Sequence, residues 1–76
     1  MLLVYTGNVN EMFCRKLKDL RMEHELSQAK LAKVLGTHQQ TVARWEKGIT
    51  EPDTKMLAKL CTFFRITANE LLGIKD

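Results

Sequence analysis

The sequence predicts an all-α domain of five short helices, and three observations predict it. Apolar residues recur at helical spacing in successive stretches: Phe13, Leu17 and Leu20; Leu31, Val34 and Leu35; Val42 and Trp45; Leu57, Leu60, Cys61 and Phe64. Residues that cap helix starts stand before several of these runs, at Ser27, Asp53 and Thr67. Glycines punctuate the pattern at 36, 48 and 73. With 76 residues and 45% hydrophobic content there is room for one small domain and one modest core, not for two domains. A domain this small is often marginal alone, so a partner subunit, a metal or a disulfide is a natural supplement.

Residues 1–10 stand apart. MLLVYT is apolar and β-favouring, and Gly7, Asn8 and Asn10 then interrupt it. The stretch is either a short edge strand that pairs with its symmetry mate in a dimer or a loosely packed tail. The domain proper is expected over residues 11–74. The longest apolar run, residues 2–5, is far below the roughly 20 residues of a membrane-spanning helix, and no basic segment precedes it as in a signal peptide. A cytoplasmic location with no membrane partner is expected.

The first helix is expected over residues 11–25, with Phe13, Leu17 and Leu20 inward and Lys16, Lys18 and Asp19 towards water. Arg21 falls beside the apolar stripe. The second begins after Ser27, whose hydroxyl can accept a bond from an orphan backbone N–H, with Leu26 and Leu31 as a hydrophobic staple. Gly36 ends it, because a residue without Cβ takes the positive φ of a sharp turn at little cost. In the third helix Val42 and Trp45 share an apolar face, which makes Trp45 core rather than a stacking platform. Gln40, Ala43, Arg44 and Lys47 follow helical spacing on another, polar and basic face. Two helices joined by a short Gly-containing turn form the unit whose second helix can enter a DNA major groove. Gln and Arg are the side chains able to make paired bonds to adenine and guanine edges.

Pro52 and Asp53 mark the start of the fourth helix, whose apolar residues should close the core against the first. Thr67 and Glu70 form a capping box for the fifth, with Ile66 and Leu71 as staple and Gly73 as stop. Leu72 and Ile74 are either dimer contacts or core and tail. Cys14 and Cys61 have no close cysteine and no histidine at zinc spacing, so they are expected as small buried hydrophobes, with no metal and no cofactor. There is no nucleophile and base pair and no phosphate loop, which argues against an enzyme. The formal charge of +3 suits a nucleic-acid partner without establishing one.

LSQAKLAKVLGTHQQTVARWEKG, the proline in ITEPD and ITANELLG together resemble the phage repressor and Cro type (XRE-like) of helix-turn-helix proteins, over about residues 13–73. The resemblance implies the five-helix, lambda-repressor-like fold and sequence-specific binding of double-stranded DNA. It implies an ion pair between Arg21 and Glu46, a Gln28 that touches the DNA backbone and buttresses the third helix, and approach of the 48–52 loop to phosphate, where Glu51 is an unhelpful charge. Met12 stands where chains of this family often begin, so the first eleven residues are expected to be an upstream extension. Two positions depart from the pattern. His38 stands where the family offers a capping Ser or Thr, with Thr37 as a substitute cap, and Arg65 stands where it has Gly, so either Arg65 adopts a strained conformation or the corner differs.

The expected base contacts are Gln39, Gln40 and Arg44, each good bidentate contact being worth about 1–3 kcal/mol of discrimination. Gln28, His38, Thr41, Lys47 and Lys55 are expected at phosphates, which position the helix without carrying sequence information. The alternative for these residues is a polar solvent face. One recognition helix reads few base pairs, so a homodimer on a palindromic operator, acting as a repressor, is expected. An antitoxin with a toxin partner and a restriction controller carry the same module, and a protein-interaction module that has lost DNA binding is the alternative of a different class.

Overall fold

A computed structural model describes residues 9–73. They form five helices in the order α1 (Val9–Glu23), α2 (Gln28–Leu35), α3 (Gln39–Lys47), α4 (Thr54–Phe64) and α5 (Ala68–Leu72), with no strand among the described residues. Of the edge strand or tail expected over residues 1–10, residues 1–8 lie outside them, as does the dimer contact at Ile74, whereas residues 9–10 belong to α1.

Helix starts follow the capping residues. Ser27 Oγ accepts from the Lys30 N–H at 3.0 Å and Asp53 Oδ1 from the Met56 N–H at 2.8 Å. Thr67 Oγ1 accepts from the Glu70 N–H at 3.1 Å while Glu70 Oε1 accepts from the Thr67 N–H at 3.0 Å, completing the capping box. Helix ends share one device, in which paired backbone bonds close over a left-handed residue. At the end of α2 this residue is Gly36 (φ 75°), with its neighbour Thr37 donating to Ala32 O at 2.9 Å.

α1 begins earlier than the 11–25 the sequence suggests, and the same device explains why it also ends earlier. Glu25 takes φ 55°, its N–H bonds to Met22 O at 2.9 Å, and the Leu26 N–H bonds to Arg21 O at 3.0 Å, so the helix closes before it. Arg65 resolves the open corner after α4 in the same way. It adopts the left-handed conformation itself (φ 57°), with the Ile66 N–H on Cys61 O at 3.0 Å. A side chain there costs about 1–2 kcal/mol relative to the right-handed form.

The core gathers Phe13, Leu17 and Leu20 of α1, Leu31, Ala32 and Leu35 of α2, Val42 and Trp45 of α3, Leu60 and Phe64 of α4 and Leu71 of α5, all of them apolar. α1 lies against α3 and α5, and α2 lies against α3. Three expectations need correction. Val34 is 49% exposed, since it sits roughly 100° around the helix from the centre of the Leu31–Ala32–Leu35 arc. Cys14 and Cys61 are half-buried rather than buried. α4 seats mainly on α5 and α2; it meets the end of α1 where the His24 ring stands edge-on to Phe64, centroids 5.0 Å apart.

Candidate nucleic-acid interface

α3 is divided lengthwise. Val42 and Trp45 are buried, whereas Gln39, Gln40, Arg44 and Lys47 are exposed and Thr41 is half-buried. The helix begins at Gln39 with His38 in the capping position in extended conformation, and the His38 side chain makes no capping bond. Its imidazole is exposed at the edge of the turn. Gly48 (φ 75°) ends the helix, and the following Ile49 N–H bonds to Arg44 O at 3.0 Å.

A chain of side-chain bonds holds α3 from behind. Arg21 of α1 donates through Nε to Glu46 Oε2 at 2.7 Å and through Nη2 to Glu46 Oε1 at 3.1 Å. Its third donor, Nη1, reaches the Leu26 carbonyl in the α1–α2 corner at 2.6 Å. The side chains are only 12% and 4% exposed. The hydrogen bond to Glu46 raises the Arg21 pKa further above its ordinary value, although desolvation opposes it, so the guanidinium is charged throughout the working range. The planar fork of Arg matches a carboxylate in this two-bonded way, which a lysine cannot do.

From Glu46 the chain continues outward. Gln28, the first residue of α2, donates through Nε2 to Glu46 Oε1 at 3.1 Å and accepts at Oε1 from Gln39 Nε2 at 2.8 Å. One half-buried amide thus links the buried ion pair to the first exposed residue of α3. Gln39 is thereby anchored from one side, with its amide oxygen left outside this bond. Gln40 and Arg44, one turn apart, and Lys47 beyond them stand clear of this chain on the exposed face. Lys55 is separate: it lies on the first turn of α4, bordering a groove between α2 and α4.

The Gln28–Gln39 bond and the Arg21 bond to Leu26 O were not legible from residue spacing. The first arises from how α2 and α3 cross and the second from how the chain turns after α1. A third such bond joins Lys59 Nζ of α4 to Leu35 O at the end of α2, at 3.3 Å.

This two-helix unit, with its second helix braced from behind and polar in front, lies within residues 17–71, which match a helix-turn-helix family profile. The chain belongs to the helix-turn-helix family. Its XRE type is a family of DNA-binding transcription regulators. The similar proteins include the cryptic phage CTXphi transcriptional repressor RstR of Vibrio cholerae, 34% identical over 82% of this chain and 56% of its own length. An HTH-type transcriptional regulator of Methanocaldococcus jannaschii, MJ0272, is 38% identical over 80% of this chain and 92% of its own. Among solved structures, the restriction-modification controller protein C.AhdI from Aeromonas hydrophila superposes with a TM-score of 0.74 at 31% identity, over 82% of this chain and 94% of that one. The chain spans little more than half of the repressor it resembles. No helix among the described residues is long and apolar enough to cross a membrane.

Proposed function

We infer that the chain binds duplex DNA sequence-specifically, with α3 in the major groove, and represses transcription as a homodimer on a palindromic operator. The observation that carries this reading is the division of α3: an outer face of Gln40, Arg44 and Lys47, and an inner side pinned through Glu46, Gln28 and Arg21. A helix that reads bases must present its donors at a fixed angle, because a small tilt moves a bidentate pair off its base edge. The buried ion pair supplies that rigidity.

In this reading Arg44 reads guanine and Gln39 and Gln40 read adenine, while Gln28, His38, Thr41, Lys47 and Lys55 meet phosphates. Two copies place two such helices about one DNA turn (~34 Å) apart. The likeness to the phage repressor supports the repressor role. The likeness to a restriction-modification controller favours a second reading, with the same DNA contacts but a nuclease and a methyltransferase encoded next door. An antitoxin would have a toxin gene there instead.

Selection of binding sites from random duplex DNA tests the reading. It should enrich a two-fold symmetric sequence whose half-sites are about one helical turn apart. Failure to enrich any sequence, with weak binding that simply fades as salt rises, would leave only non-specific charge attraction and overturn it.

A further inference from the structure

Between the end of α2 and the outer face of α4 runs an open groove of about 570 Å³ that the DNA-reading face does not use. Its apolar surface comes from Val34 and Leu35 on one side and Ala58 and Phe63 on the other. Val34 is 49% exposed although it stands beside the buried Leu35, and Ala58 is exposed and too small to fill the space it faces. Lys55 and Lys59, one turn apart on α4, border the same groove, and no acidic residue lines it. Lys59 is held in place by its bond to the Leu35 carbonyl, which fixes a positive charge at the groove's edge. Among the described residues Lys55 has no carboxylate partner.

We propose that this groove is a docking site for an acidic amphipathic helix of a partner protein. The groove follows α4 from Lys55 to Phe63, about 12 Å at the rise of an α-helix, so it accommodates two to three turns of a partner. Such a helix lays apolar side chains one turn apart over Val34, Leu35, Ala58 and Phe63, and carries a glutamate or aspartate that meets Lys59, leaving Lys55 at the rim to its phosphate. Charge complementarity selects the acidic partner, and the apolar floor distinguishes it from DNA, since phosphate gains nothing from the hydrocarbon surfaces of Val34, Ala58 and Phe63, which are exposed or half-exposed. A second copy of this chain is a poor occupant. α1 to α4 each carry net positive charge, and the single glutamate of the five-residue α5 is engaged in its capping box. The site leaves α3 uncovered, so the partner binds without competing for the operator.

The test measures fluorescence anisotropy of a labelled synthetic helix of about 14 residues, with leucines one turn apart and glutamates elsewhere, titrated with the full chain. A matched peptide with lysine at every glutamate position is the control. The glutamate peptide should bind, the lysine peptide should not, and Ala58→Glu and Lys59→Glu should each weaken binding at least about tenfold. Ala58→Glu puts a carboxylate into the groove from a good helix former, so its melting curve should match the wild type. Val34→Ser, on the opposite wall, provides a second variant independent of α4. Equal binding of both peptides, no binding of either, or binding indifferent to Ala58→Glu and Val34→Ser would overturn the proposal. So would displacement of the peptide by saturating duplex DNA, which would make the groove part of the DNA interface.

Discussion

Arg21 and Glu46, 25 residues apart in sequence, meet in a two-bonded ion pair at 2.7 and 3.1 Å that ties the first helix to the back of the third. The pair is nearly sealed from water, and Glu46 also accepts from Gln28. A buried pair adds little net stability compared with an apolar replacement, yet losing one partner strands the other's charge. Arg21→Ala should therefore cost about 3 kcal/mol, a fall in melting temperature of some 12–24 °C at about 4–8 °C per kcal/mol. Lys18→Ala, on the exposed side of the same helix, should cost far less. Superimposable melting curves for the two variants would contradict the role given to the pair.

The left-handed corners at Glu25 and Arg65 are places where the chain lacks glycine. Glycine removes the steric penalty of about 1–2 kcal/mol but loses more backbone freedom on folding, by about 0.5–1 kcal/mol. Glu25→Gly and Arg65→Gly should each stabilise the domain by about 0.5–1 kcal/mol. Thermal melts of both variants and their combination check this, with a fall in either single variant counting against it.

His38 occupies the start of α3 without capping it. His38→Ser supplies a hydroxyl able to accept from a first-turn N–H, a gain of about 1 kcal/mol. Chemical denaturation should show a higher midpoint with an unchanged slope. An unchanged midpoint would mean that the turn holds this residue where its side chain cannot reach the helix.

Glu70 accepts from the Thr67 backbone and hydroxyl, and these bonds, aided by the charge of Lys16, hold its carboxyl below the ordinary glutamate range. A carboxylate depressed in the folded state contributes stability above its unfolded pKa and loses it as pH falls through the folded value. The difference in melting temperature between wild type and Glu70→Gln should be constant near neutral pH and shrink once the pH drops below the ordinary glutamate range. A difference independent of pH would show that the charge plays no part in the cap.

Much of the fold was legible because its signals are local. Ser27 and Asp53 announce helix starts through one hydrogen bond each and Thr67 through its capping box with Glu70, and Leu31 with Leu35 or Val42 with Trp45 announce a buried face through spacing alone. Val34 misled because it stands next in sequence to a core residue while pointing elsewhere around the helix. The end of α1 misled because nothing about a glutamate marks position 25 as left-handed. At the candidate interface the exposed face of α3 followed from periodicity, and the resemblance anticipated the Arg21–Glu46 pair. The resemblance also implied that Gln28 buttresses the third helix, but its partner Gln39 was hidden because that bond depends on the crossing of two helices.

Base reading by the outer face of α3 is most directly probed at Arg44. The decisive measurement is titration of the selected operator and its single-base-pair variants with wild type and Arg44→Ala at one fixed salt concentration. Discrimination should fall by about 1–3 kcal/mol at one base pair of each half-site and remain intact elsewhere. Uniform weakening across every sequence, with all preferences preserved, would assign Arg44 to phosphate and contradict groove reading by this side chain.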